Sequence, residues 1–116
     1  MITVDLIDIA KIIYNVNKAF CESTGDYSNV SWDDTSTETR DLAVLVVRHK
    51  MLNPKMTPEH IHNTWLVEMV RRGWKYGEMK NAEAKTHPGM CPYDMLSKDQ
   101  QTKDKLVNTI IESVFD

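Results

Sequence analysis

One stretch of this 116-residue chain limits its fold more than any other. It carries His62-Asn63-Thr64-Trp65, Gly73-Trp74-Lys75-Tyr76-Gly77, Lys85-Thr86-His87-Pro88 and Pro92-Tyr93-Asp94-Met95-Leu96. From residue 74 to 96 the apolar residues show no three- or four-residue spacing, so this part is not a long helix. Glycine and proline punctuate it instead. Trp74-Lys75-Tyr76 alternates large groups as a short strand does. Met90-Cys91-Pro92-Tyr93 is its candidate partner, with Pro92 limiting the pairing to an edge. Aromatic faces, fixed turns and a few cations are the material of a small-molecule pocket. They are equally the material of a small core, and the residue types leave both open.

Helices are expected on either side. Residues 3–20 place Leu6, Ile9, Ile13, Val16 and Phe20 on one stripe. Asp5 and Asp8 come early and Lys18 late, in keeping with the helix dipole. Gly25-Asp26 breaks the pattern, and a polar loop over 26–35 holds Trp32. Thr35 or Ser36 is placed to cap a second helix reaching residue 51. Its β-branched centre, Val44 to Val47, also suits a buried strand, but polar helix formers flank it and no turn interrupts it. Asn53-Pro54 ends it. Thr57-Pro58-Glu59 supplies a cap, a proline at the first helical position and an early acid. Ile61, Trp65 and Met69 then share a face, with Leu66 and Val70 beside them, and Gly73 closes the helix after Arg71-Arg72. Ser97-Lys98-Asp99-Gln100 reads as a capping box for a last helix. Its apolar face is Leu106, Val107, Ile110, Ile111 and Val114.

Length suits one domain spanning residues 1–116. The formal net charge of −3 argues against a binder of nucleic-acid polymers, though not against a local basic pocket for one anion. Cys21 and Cys91 have no CxxC spacing, and two cysteines do not make a disulfide framework. Two reduced thiols in a cytoplasmic protein are expected. The N-terminus lacks a basic segment followed by an apolar run, so no signal peptide is read there. The most apolar run, Leu42 to Val47, is far short of the roughly 18 residues of a membrane span.

Catalytic and metal chemistry find little support. His60 and His62 are two apart and diverge on a helix, whereas a helical metal pair is spaced by four. No metal or cofactor is expected. No nucleophile elbow is present, and Cys91 near His87 in sequence says nothing about space. Gly73 and Gly77 are not a phosphate-binding loop, since the Gly-Lys-Ser/Thr ending is missing. For a lone helical tryptophan such as Trp65, core is the default. Yet an indole bordered by His62, Asn63, Lys85 and His87 can also stack on a flat ring. Arg71, Arg72, Lys80 and Lys85 read as a solvated cationic rim.

In order and spacing, His62-Asn63-x-Trp65, Gly73-Trp74-x-Tyr76-Gly77, Lys85-Thr86-His87-Pro88 and Pro92-Tyr93-Asp94-x-Leu96 resemble the RyR domain. That module is named for the repeats of ryanodine-receptor channels and also occurs as a small standalone protein in bacteria and phages. Asn15-x-Asn17-Lys18-Ala19-Phe20-Cys21, Gly25-Asp26, Trp32 and Arg40 extend the likeness to the N-terminal half. The resemblance implies an α+β fold, mainly helical with about four helices, and a small antiparallel β-hairpin. It implies a non-enzymatic protein, in the host cytoplasm if viral, that senses or sequesters a nucleotide or nucleotide-derived signal. Paired channel repeats hold an adenine ring between tryptophans, which implies a homodimer here with Trp65 stacking on the base. The implied ligand-binding set is Trp65, Asn63, His62, Trp32, Arg40, Met69, Tyr76, Lys85, His87 and Tyr93. Asn63 and His62 offer polar contacts, Tyr76 and Tyr93 wall the pocket, and Lys85, His87 and Arg40 hold the anion. Met69 stands where relatives often carry a basic residue, and Pro88-Gly89-Met90 replaces their Pro-Cys-Leu. The alternative is a protein-interaction module in which the same aromatics form core and docking surface.

Overall fold

The computed structural model describes residues 5–115. Its elements are α1 (Leu6–Ser23), α2 (Thr37–Leu52), α3 (Pro58–Arg71), β1 (Lys75–Tyr76), β2 (Thr86–His87), a 3-10 turn (Tyr93–Met95) and α4 (Lys98–Phe115). The expected start of the first helix at residues 3 and 4 lies outside the described residues.

Local chemistry explains most boundaries. Asp5 caps α1, its Oδ1 accepting from the Asp8 N–H at 2.9 Å. Ser36, not Thr35, caps α2, its Oγ accepting from the Thr39 N–H at 3.1 Å. α3 opens with a reciprocal pair. Thr57 Oγ1 accepts from the His60 N–H, and His60 Nδ1 accepts from the Thr57 N–H, both at 3.3 Å. Histidine thus takes the part usually played by Glu or Gln. Gly73, at φ 90, ends α3 in the left-handed conformation. Ser97 Oγ accepts from the Gln100 N–H at 3.2 Å at the head of α4.

The four helices bury one main core. Ile9, Ala10 and Ile13 of α1 meet Val46 and Val47 of α2, Ile61 of α3, and Val107 and Ile111 of α4. The buried face of α1 runs through Ile9, Ile13 and Cys21, while Val16 and Phe20 are only half-buried. A second, smaller cluster joins Leu42, Met69 and Met90, and Trp65 packs against both clusters.

A lysine lies inside this fold. Lys50 is 2% exposed, and an ammonium there is tolerated only if hydrogen-bonded. Its Nζ donates to Pro54 O at 2.6 Å, Met56 O at 2.5 Å and Glu112 Oε1 at 3.1 Å. Three protons meet three acceptors, and α2, the following turn and α4 are tied together. The Lys50 hydrogen bond in turn holds the Glu112 carboxyl below its usual range.

The small sheet is parallel, not the expected antiparallel hairpin. Lys75 lies opposite Thr86 and Tyr76 opposite His87. The chain reverses twice between them. Residues 77–85 turn back, and Asn81 and Thr86 exchange both backbone hydrogen bonds at 3.0 Å as an antiparallel bridge. Lys85, at φ 56, then redirects the chain alongside β1. Gly77 permits the close approach: a Cβ there would lie 2.5 Å from Thr86 Cβ. The expected partner strand, residues 90–93, is used otherwise. Met90 buries its side chain in the second cluster, and Pro92 leads into the 3-10 turn. Among the described residues no helix is long and apolar enough to cross a membrane.

Candidate functional site

A cavity of about 280 Å³ opens between the four helices and the segment from Lys80 to Gly89. Helical spacing sorts its walls into levels. Ile13, Val46, Ile61 and Val107 form an apolar floor, and all four belong to the main core. One turn away stand Asn17, His62, Trp65 and Asp104. Lys18, Thr39, Lys80, Gln100 and Lys103 lie beyond them, toward solvent.

Three aromatic rings converge at the middle level. Trp65 and His87 meet edge to face with centroids 5.0 Å apart, and His62 lies 5.5 Å from Trp65. His62 and Trp65 share a face of α3 because they are three residues apart. Gly89 leaves room for both rings, since a Cβ there would stand 3.0 Å from His87 Nδ1 and 3.3 Å from Trp65 Cη2. His87 Nδ1 accepts the Gly89 N–H at 2.8 Å. The ring proton therefore sits on Nε2. Burial first, then Lys80, Lys103 and His62, lowers His87 to about 4, so it is neutral at pH 7. His62, 3% exposed, donates from Nε2 to Cys91 O at 2.7 Å. Its Nδ1 faces Asp104 Oδ2 at 3.7 Å, beyond hydrogen-bond length.

The electrostatics divide the cavity. Burial raises Asp104 to about 7, against the pull of Lys103. In the same lining, Asn17 Oδ1 is buried without a hydrogen-bond partner among the described residues. Toward the mouth, Lys18 pairs with Glu22 at 2.8 Å. Lys80 and Lys103 make no ion pair among the described residues, yet both act on His87, and both reach Asp26, which Ser28 holds by hydrogen bonds. An apolar floor, three converging rings and two lysines without an ion pair among the described residues surround the cavity.

Of the residues singled out from sequence, Trp65, His62 and His87 line this cavity. The others lie elsewhere. Trp32 is 7% exposed in the main core, 5.6 Å from Tyr14 edge to face. Met69 is buried in the second cluster. Asn63 is on the outer face of α3, in a shallow hollow with His49, His60 and Val67. Arg40 is half-buried on the first turn of α2, where Thr39 and Ala43 face the cavity. Tyr76 is 58% exposed on β1. Lys85 Nζ donates to Arg72 O at 2.8 Å, where a cation suits the carbonyl end of α3. Tyr93 lies outside the cavity lining, its ring 6.1 Å from His62 and tilted 59° to it. Asn17, Gln100, Lys103 and Asp104 were not foreseen as site residues. A polar residue within an apolar stripe is the signal that marks two of them: Asn17 between Ile13 and Cys21, and Asp104 ahead of Val107 and Ile111.

The family model described as RyR domain matches residues 36–114, from the cap of α2 through nearly all of α4. The chain belongs to the RyR domain family. Helix α1, which supplies Ile13, Asn17 and Lys18 to the cavity, lies ahead of the matched stretch.

Proposed function

We propose that this RyR domain binds, and holds without turnover, a nucleotide or nucleotide-derived signal. One observation carries the reading: the Trp65, His62 and His87 rings wall a cavity at whose mouth Lys80 and Lys103 stand unpaired among the described residues. Stacking a base on an aromatic side chain contributes about 1–3 kcal/mol. Two free ammonium groups favour phosphate just outside, where water still solvates it. At about 280 Å³ the cavity falls near the lower end of the roughly 300–1,000 Å³ typical of ligand sites. A single base fits that scale, with the sugar and phosphates toward the mouth. The proposed assembly is a homodimer in which a second copy covers the mouth. Tyr76 and Met79, exposed beside Lys80, offer it an apolar rim.

Calorimetric titration with adenine and guanine nucleotides and cyclic dinucleotides tests this. Saturable binding is expected. Ligand recovered after denaturation should be chemically intact, and Lys80→Ala with Lys103→Ala should weaken nucleotides more than nucleosides. Native mass spectrometry reads copy number and carried-over ligand together. A folded sample that takes up no member of the panel, or one that converts it, defeats the reading.

A further inference from the structure

At the middle of the cavity two acceptor groups receive no hydrogen bond from any described residue. Asn17 Oδ1 on α1 is buried and has no hydrogen-bond partner among the described residues. The Asp104 carboxylate on α4 receives no hydrogen bond from any described residue, and His62 Nδ1 stays 3.7 Å away. His62 has already committed its Nε2–H to Cys91 O. Two acceptor groups from two helices therefore line one cavity. Buried polar atoms are satisfied in the great majority of folded proteins, so the buried Asn17 Oδ1 is a demand on whatever fills the cavity, and the Asp104 carboxyl, 19% exposed with His62 Nδ1 at 3.7 Å, is a second acceptor on the same wall. Burial raises Asp104 to about 7, as befits a carboxyl lacking donors.

We infer that Asn17 and Asp104 read the amino group of an aminopurine base stacked on Trp65, so that the site prefers adenine or guanine to a purine bearing only a carbonyl. The inference rests on the nucleotide reading above and adds the choice of base. An exocyclic amine brings two N–H donors, one for each acceptor. A carbonyl at the same place brings lone pairs against lone pairs and leaves both acceptors unpaired. Guanine adds a ring N–H beside its amine, which suits an ionised carboxylate. Adenine places a ring acceptor beside its amine, which suits the carboxylic acid.

The test compares AMP, GMP and IMP by calorimetry on the wild-type protein. GMP differs from IMP only by the 2-amino group, and AMP by an amine in place of the 6-oxygen. At least one amino-bearing nucleotide should bind about 5- to 100-fold tighter than IMP, the ratio expected when a buried acceptor gains or loses its donor. Asp104→Asn, which replaces an acceptor oxygen by a donor at nearly constant volume, should narrow that ratio, as should Asn17→Leu. If either variant fails to fold by circular dichroism, the wild-type ratio still decides. IMP binding as tightly as both others overturns the inference while leaving the nucleotide reading intact. A ratio unchanged in both folded variants also overturns it. Binding of none of the three overturns it as well, and the wider nucleotide panel then decides separately whether the broader reading stands.

Discussion

Gly77→Ala tests why the sheet is parallel, and its cost follows from geometry. The added Cβ would stand 2.5 Å from Thr86 Cβ and 3.0 Å from Thr86 Cγ2 and Oγ1. Carbon atoms prefer about 3.5–4.0 Å, so β1 and β2 must part by about 1 Å. The opposing Cβ is fixed to the backbone and cannot rotate away. The strands are two residues each, and the Gly77 N–H to His87 O bond is already 3.4 Å long. Overpacking of this kind costs about 1–3 kcal/mol. With about 2.1 cal/mol/K of unfolding entropy per residue, 116 residues lose about 4 °C of Tm per kcal/mol. A drop of about 4–12 °C is expected by calorimetry or circular dichroism. A double-mutant cycle isolates the contact. Thr86→Gly should relieve the clash, so its coupling to Gly77→Ala is favourable. Thr86→Ala should relieve it little, because the worst contact is Cβ on Cβ. Rescue by Thr86→Ala equal to that by Thr86→Gly, or a neutral Gly77→Ala, would refute the reasoning.

Lys50→Met should cost about 2–4 kcal/mol in urea denaturation, because it strands the Pro54 and Met56 carbonyls and unpairs Glu112; a loss under about 0.5 kcal/mol would count against the buried ammonium as a tie. Trp65→Ala should lose about 2–4 kcal/mol as well as ligand binding, since the indole packs on both core clusters and walls the cavity; Trp65→Phe should keep most of the stability. Asp104 and His87 predict opposed pH dependences. Between about pH 4 and 7 folded Asp104 holds a proton that the unfolded chain has lost, so its contribution to stability falls as pH rises. Between about pH 4 and 6.5 unfolded His87 holds a proton that the folded ring lacks, so its contribution rises with pH. Urea midpoints measured against pH should therefore climb through this range in Asp104→Asn and decline in His87→Gln; two variants with parallel profiles would contradict both assignments.

The helical frame was legible because its signals are local. Thr57-Pro58, Ser97 and Gly73 act on neighbours within four residues; Thr57-Pro58 and Gly73 are used as the sequence suggests, and of the expected box at Ser97 the Oγ cap on the Gln100 N–H forms. The sheet was not legible in its sense. Strands of two residues carry too short an alternation to specify direction. What decides it is a close approach between Gly77 and Thr86 and a left-handed Lys85. Neither residue pattern names its distant partner. Lys85 looked like a cation for a ligand, yet a nearby carbonyl, Arg72 O, takes its ammonium.

The cavity raises a sharper point about polar residues set into apolar stripes. Asn17, Lys50 and Asp104 all interrupt buried helix faces: Asn17 follows Ile13, Lys50 follows Val46 and Val47, and Asp104 precedes Val107. In sequence these three look alike, and burial would penalise each. Three dimensions separate them. Lys50 finds three acceptors, all supplied by the chain itself, and its charge becomes a structural tie. Asn17 Oδ1 and the Asp104 carboxylate find no donors among the described residues and share the wall of one cavity. What separates a polar residue that ties the fold together from one left without a donor therefore does not lie in residue type or spacing. It lies in whether the fold supplies the partner, and for Lys50 that partner comes in part from Glu112, 62 positions away.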